Sequence, residues 1–369
     1  MKQYSFDDVV ILHDKDRIPL SAMERQKRQG PYRYYGAQGV IDHVDNFLFD
    51  GEYVLIAEDG ENLKSQKQDV AQLVNGKFWV NNHAHIATTT SLCRLRYFYY
   101  LINSKDLSEY ITGSAQPKLS QASMRKMSFD LPNINTQDKI LGILGGIDDK
   151  IKENERINKN LQAQADTIFS KAYNASTDQQ PFTSAIKVLG GGTPKTGNSD
   201  YWNGSIPFFT PKDVGDPYTF RTEKYITESG LEHCNSRLYP INTSFVTARG
   251  TVGKVSLAGA PMAMNQSCYA LVSDVVDPLM VYFYALKAVT SLKHKASGAV
   301  FDAIVTRDFD TEVIHMLSDS DNQRVIEAIT PMMKTIHNNA TENIRLSELR
   351  DALLPRLMSG EIDVSDIDL

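Results

Sequence analysis

Catalysis needs reactive groups at fixed spacing, and the sequence offers only a few groupings of that kind. The stretch Gly190 to Gly197 (GGGTPKTG) has the glycines of a phosphate-binding loop, but Asn198 stands where the loop lysine belongs. It reads as a turn leading into a second domain. Asp148, Asp149 and Lys150 have the composition of a metal-dependent nuclease site, yet they sit beside a heptad seam and read as a solvated helix face. His83 and His85 alternate on an expected strand and would share one face, with no third ligand nearby for a metal. Cys93, Cys234 and Cys268 are far apart and odd in number, so neither a zinc site nor a disulfide framework is expected. Methyl transfer to an exocyclic amine would need an Asn or Asp before two prolines and an aromatic residue, and no consecutive prolines occur.

Side chains that donate to phosphates or read base edges are more plentiful. In the first half they are Arg33, Tyr34, Tyr35, Gln38, Asn81, Asn82, His83, Gln116, Lys118, Ser120 and Gln121. In the second half they are Lys195, Thr196, Asn198, Thr210, Lys212, Arg249, Thr251, Lys254, Asn265, Gln266 and Arg307. Each alone is also an ordinary solvated side chain, so only the set carries weight. The net charge of -6 is unevenly spread. Residues 1–135 carry 16 basic and 16 acidic side chains, 181–318 carry 12 and 12, and 319–369 carry 5 and 10. Neutral globular parts cannot hold a polyanion by charge alone, so DNA binding would need specific contacts or a partner.

These side chains are carried on a duplicated framework. Gly113–Phe169 repeats as Gly298–Leu354 at an offset of 185 without a gap, matching Leu119 to Ile304 and Asn154 to Asn339. Upstream the match is looser: YRYYGAQGV from Tyr32 with IPFFTPKDV from Ile206, FDGEYVLIAEDG from Phe49 with YPINTSFVTARG from Tyr239, and NNHAHIA from Asn81 with MNQSCYA from Met264. Short apolar or β-branched runs at Val54–Ala57, Phe78–Val80, His85–Thr88, Ser244–Thr247 and Tyr269–Val272 predict strand-rich domains.

Between them the spacing changes to helical heptads. Ile140, Leu144, Ile147, Ile151, Asn154, Asn158, Leu161, Ala165 and Ile168 form one seam. Val325, Ile329, Met332, Ile336, Asn339, Asn343, Leu346, Arg350 and Leu353 form the second, with Leu349 available to take over the packing role of Arg350. Connectivity predicts an antiparallel pair, capped by Asn135 with Asp138 and by the Ser318–Asp321 cluster. The first seam would be ~44 Å long at 1.5 Å per residue, comparable to ~13 steps of duplex DNA, so it could act as a ruler. Antiparallel pairing would set Asn154 and Asn158 against Asn339 and Asn343, fixing register at some cost in stability. The alternative has these asparagines facing solvent, with a seam through Ile143 and Ile157.

The expected fold is α+β: two mixed strand-rich domains separated by a long two-helix antiparallel coiled coil, with an internal pseudo-twofold repeat. Its parts are 1–135, 136–178, 179–318 and 319–369, the last including an acidic tail. No apolar run reaches the ~20 residues of a membrane span, and the N-terminus MKQYSFDDVV lacks a signal peptide, which predicts a cytoplasmic protein.

With two domains each followed by a helix, nearly the whole chain resembles the specificity subunit of type I restriction-modification systems. The resemblance is carried by GPYRYYGAQGVIDHVDNFLFDGEYVLIAEDG from Gly30, GKFWVNNHAHI from Gly76, LPNINTQDKI from Leu131, GGTPKTGNSDYWNGSIPFFTPKDV from Gly191 and ALLPRLMSGEIDV from Ala352. It implies a non-catalytic, DNA-binding reader of a bipartite target, whose two target recognition domains each read one half. It also implies partners: two methyltransferase subunits that bind S-adenosylmethionine, and restriction subunits that use ATP and Mg. The second copy departs from the first where Leu131-Pro132 becomes Met316-Leu317, which puts identical junction geometry in doubt. Two other classes stay open: a bivalent protein-binding scaffold, and a stand-alone DNA-modifying enzyme.

Overall fold

Val54 to Ala57 are all buried and belong to the strand Phe49–Ala57, which is bordered by Ala71–Val80 and Ala84–Thr89. In the computed structural model, which describes residues 1–113, 116–295 and 303–367, this strand lies within a six-stranded sheet. Gly298, at the start of the second repeat copy, and residues 368 and 369 of the tail lie outside the described residues. The chain divides into two compact units, Met1–Lys150 with Leu346–Leu369, and Ile151–Arg345. Both long helices, Ile134–Ala175 and Asp319–Met358, contribute residues to each unit.

In the first unit the sheet order is Val10–Leu12, Ala84–Thr89, Phe49–Ala57, Ala71–Val80, Tyr32–Gly36, Gly39–Val44. Only the Tyr32–Gly36 and Ala71–Val80 pair is parallel. The amphipathic helix Leu95–Ser104 buries Tyr97, Phe98 and Ile102 in the core formed with Val54, Ile56 and Ala87. Ile140 and Leu144 of the first long helix and Leu357 of the second join that core. The strand Ser128–Leu131, paired with Lys2–Ser5, delivers the chain into the first long helix.

The second unit repeats this plan with one strand broken in two. Ser244–Thr247 is the central strand, flanked by Cys268–Val272 and Val255–Ala258. Ala263–Met264 runs parallel to Trp202–Phe209 in a separate three-stranded sheet. Val255–Ala258 and Ala263–Met264 together occupy the two pairing roles that Ala71–Val80 fills alone. The helix Pro278–Lys295 covers the core with Leu279, Tyr282, Phe283 and Val289. Leu161, Ala165 and Ile168 pack in the same core as Val325, Ile329 and Ile336.

Within each unit the two long helices run antiparallel, because residues of rising number on one meet residues of falling number on the other. Asn154 bonds Asn343, and Asn158 bonds Asn339, at 2.8 and 2.9 Å. Asp148 meets Arg350 at 3.1 Å in the first unit. The first helix is capped by Asn133, whose Oδ1 accepts from the Thr136 N–H at 2.9 Å, rather than by Asn135. Asp138 is instead drawn to Arg94 at 2.8 Å. At the second helix Ser318 Oγ accepts from the Asp321 N–H at 3.2 Å. The expectation that Leu349 would replace Arg350 in packing is corrected, since Leu349 is 48% exposed. Arg350 instead reaches Asp148, which also accepts from the Tyr100 hydroxyl. Asp148 is therefore a partly buried tether and no part of a solvated face. The junctions differ as the substitution suggests: the Leu317 N–H donates to the Tyr284 hydroxyl at 3.1 Å, a bond the Pro132 nitrogen has no proton to make.

Candidate nucleic-acid interface

In the first unit the chain leaves the central strand at Glu58 and Asp59. The Glu58 N–H donates to the His83 carbonyl at 2.9 Å, the Asn81 N–H to the Tyr35 carbonyl at 3.0 Å, and the Leu119 N–H to the Glu58 carbonyl at 2.8 Å. These bonds gather three separate turns around one carboxylate pair. Asn81 Oδ1 also accepts from the His83 N–H at 2.8 Å, which tightens the turn that exposes Asn82. The Gly60 N–H donates to the Pro117 carbonyl at 3.2 Å, bringing Gln116 and Lys118 alongside. Gln38 Nε2 lies next to Gly60.

A buried polar network holds this arrangement. His85 Nδ1 donates to Asp14 at 2.5 Å and Nε2 to the Leu119 carbonyl at 2.8 Å. Asp14 also accepts from the Ile86 N–H at 2.9 Å and from Gln121 Nε2 at 2.6 Å. Arg17 joins Glu58 at 3.0 Å and the Ala84 carbonyl at 2.8 Å. Burial by itself would raise the Asp14 carboxyl, but the bonds from His85, Ile86 and Gln121 outweigh it and hold the group below the usual carboxylate range. Glu58 follows the same balance, with burial opposed by Arg17, His85 and Lys118.

Several first-half candidates need correction. Tyr34 is fully buried, its hydroxyl donates to the Leu20 carbonyl and accepts from the Leu20 N–H, and Arg25 lies over its ring, so it is a core residue. Arg33 donates to the Asn75 carbonyl at 2.7 Å and covers the Tyr35 ring, apart from the turns gathered at Glu58. His83 and His85 do not share a strand face. His83 lies in the exposed turn and bonds Asp59 at 2.6 Å, whereas His85 is buried in the following strand. Lys118 is exposed but paired to Glu58 at 3.1 Å. Gln38, Asn82 and Gln116 are exposed.

The second unit builds the same turn from different side chains. The Ala248 N–H donates to the Ser267 carbonyl at 2.8 Å, the Asn265 N–H to the Phe209 carbonyl at 2.9 Å, and the Ile304 N–H to the Ala248 carbonyl at 2.9 Å. Asn265 Oδ1 accepts from the Ser267 N–H at 3.0 Å, as Asn81 does from His83. Asn81 therefore corresponds to Asn265, one residue along from the match made on sequence. Arg249 corresponds to Asp59, and Ala248 to Glu58.

Here the second-half candidates converge. Gln266 is exposed at the turn and accepts from the Thr193 hydroxyl, which draws in the loop bearing Lys195 and Thr196. Gly191 is needed for that approach, since a Cβ there would lie 2.1 Å from the Asn265 carbonyl oxygen. No helix of useful length follows this loop, only the single turn Ser199–Tyr201, so a phosphate-loop context is missing. Thr251 Oγ1 donates to the Pro211 carbonyl at 3.0 Å, joining the Arg249–Lys254 hairpin to the loop that carries Lys212. Arg307 is exposed on the short helix Thr306–Asp310, which follows Ile304. A hollow of about 410 Å³ between these loops is lined by Lys212, Lys224, Arg249, Asn265 and Glu223, whose carboxylate lies 3.6 Å from the Lys212 ammonium.

Sequence reasoning overlooked Asp14, Arg17, Glu58, Asp59 and Lys224. Searching for donors passed over carboxylates, although Asp and Glu accept from the cytosine amine. Among the described residues no three His, Cys, Asp or Glu side chains are placed to hold a metal ion, and no helix is long and apolar enough to cross a membrane. Burial pushes the Cys93 and Cys268 thiols up to about 12.

A family model described as the type I restriction modification DNA specificity domain matches twice, over residues 1–163 and 185–348. The chain belongs to this family. The specificity-domain match falls once on each strand-rich part and includes most of both long helices. A putative specificity subunit of Haemophilus influenzae, HindORF215P, is 30% identical over 141 residues, 38% of this chain and 36% of that one. That match therefore spans about a third of the relative's length. The HindI specificity subunit of the same organism is 21% identical over 412 aligned residues, 85% of this chain and 84% of the relative. Among solved structures, the type I restriction-modification S subunit from M. genitalium shares the fold at a TM-score of 0.62, with 12% identity over 96% of this chain and 95% of that one.

Proposed function

We propose that each unit of this chain reads one half of a bipartite DNA target, and that the chain positions partner subunits that carry out the chemistry. One observation supports this most directly: the same three backbone bonds build the same turn twice, and the polar side chains on it differ. Asp59, Asn82 and His83 occupy it in the first unit, and Arg249 and Gln266 in the second. A shared scaffold with different donors and acceptors is what two readers of unlike base sequences need. Carboxylate acceptors suit amino groups on cytosine, and an arginine suits the paired acceptors of guanine.

In this reading the chain has no catalytic group and holds no cofactor. Two methyltransferase subunits bring S-adenosylmethionine, restriction subunits bring ATP and Mg, and all act where the DNA lies, in the cytoplasm. Long-read sequencing of adenine methylation in cells with the matching methyltransferase subunit tests it. A split motif is expected only when this chain is present. An assembled complex that leaves no such motif would overturn the reading in favour of a protein-binding scaffold.

A further inference from the structure

The second unit has another hollow, of about 530 Å³, which shares Pro211 and Lys212 with the one holding Arg249. Its walls come from the loop that carries Lys212 and Asp216, the hairpin that carries Gly253 and Lys254, one face of the helix Pro278–Lys295, and Gln162 of the first long helix. Lys212, Lys254 and Lys293 all line it. Asp216 lines it too, but accepts from Gln162 Nε2 at 2.7 Å.

Lys293 is presented by a specific device. Gly253 has φ +71°, and a Cβ there would fall 2.4 Å from Lys293 Cε and 3.1 Å from Val289. The missing side chain is thus the gap through which the lysine stem crosses the hairpin. Two residues further along the helix, Lys295 is spent on the buried Glu312 at 2.5 Å. Lys293 and Lys254 have no such partner: among the described residues neither forms an ion pair. Desolvation first, and then the neighbouring Lys254 charge, lower the Lys293 ammonium below its ordinary value. Three lysines and one carboxylate, Asp216, line the hollow, so positive charge is in excess there and an entering anion would offset it.

We propose that Lys293 and Lys254 form a phosphate clamp for the DNA backbone, flanking the half-target read from the Arg249 turn. The inference rests on the DNA reading above and adds a site that grips without reading sequence. Continuity argues for DNA over a free anion, because Lys212 lines both hollows and Lys254 belongs to the same hairpin as Arg249. A backbone passing over Lys212 would reach the clamp from the reading turn.

The test uses the full chain assembled with its methyltransferase subunits and measures affinity for target and non-target duplexes against salt. Lys293→Ala is expected to weaken both duplexes by the same factor, and to flatten the plot of log affinity against log salt by about 0.9 for each phosphate no longer neutralised. Lys293→Arg should restore the slope, and Lys254→Ala combined with Lys293→Ala should flatten it further. Unchanged slope and affinity in Lys293→Ala, with the wild-type complex binding its target normally, would overturn the clamp alone. Loss limited to the target duplex would also overturn it, by making Lys293 a reader. A wild-type complex that does not distinguish any duplex would bring down the DNA reading itself.

Discussion

Asn154 and Asn343 meet within the helix pair, Asn154 Nδ2 donating to Asn343 Oδ1 at 2.8 Å and to Glu342 at 2.8 Å, while Asn154 Oδ1 is buried without a partner. Asn154 is 1% exposed, so a solvent-facing role is ruled out for it. An unmet buried acceptor costs about 1–3 kcal/mol, and the cost is repeated for any sequence that keeps the asparagine. Asn158 and Asn339 make the neighbouring bond.

Replacing both members of one pair should therefore stabilise, and replacing one should not. Asn154→Leu alone takes from Asn343 Oδ1 the amide that donates to it and is expected to lower the melting temperature, by about 1–3 kcal/mol of stability. Asn154→Leu with Asn343→Leu is expected to raise it above wild type while loosening register. Thermal melts of wild type and the two variants decide the matter. A double variant as unstable as the single would show that the asparagines stabilise the pair outright.

Arg249 stands where the first unit has Asp59, on a turn whose backbone is fixed by the Ala248 bonds to Ser267 and Ile304. Its removal should leave that backbone intact. Arg249→Ala is expected to relax or abolish one half of the methylated motif and leave the other half unchanged, read by long-read sequencing. Methylation unaltered at both halves would remove Arg249 from the reading surface.

Asp14 supports the first-unit turn, and its effect depends on pH with a definite sign. Its folded carboxyl lies below the ordinary value, so the stability it lends is fully present above pH ~4 and is lost as pH falls through the folded value. Asp14→Asn keeps the shape but loses the charge opposite His85. The variant is expected to be less stable than wild type at neutral pH, with the gap closing only as pH falls below the ordinary carboxylate range and through the lower folded value. A gap that stays constant with pH would assign the loss to geometry alone.

The parts of the fold that were legible in the sequence are those set by periodicity. Heptad spacing gave both long helices, chain connectivity gave their antiparallel sense, and buried runs such as Val54–Ala57 and Ser244–Thr247 became central strands. What escaped was set by neighbours distant in sequence. Nothing local to Tyr34 distinguishes a core tyrosine from a reading one; burial against Leu20 decides it. Asp148 reads as a surface charge until Tyr100 and Arg350 close over it. The one-residue slip between Asn81 and Asn265 arose because the flanking sequences differ, and only the bonds to Tyr35 and Phe209 fix the match.

Each long helix supplies residues to both units, so its length is a variable that can be changed without touching either reading turn. Removing one heptad shortens a helix by ~10 Å, about three steps of duplex at 3.4 Å. Taking seven residues from each helix at facing positions preserves the seam, since a whole heptad keeps the same side chains inward. The shortened protein, assembled with its methyltransferase subunits, is expected to methylate the same two half-sequences across a gap about three base pairs shorter. A motif with an unchanged gap would show that the helices do not set the spacing. A changed half-sequence would show that the strand-rich parts do not read independently of the helices beneath them.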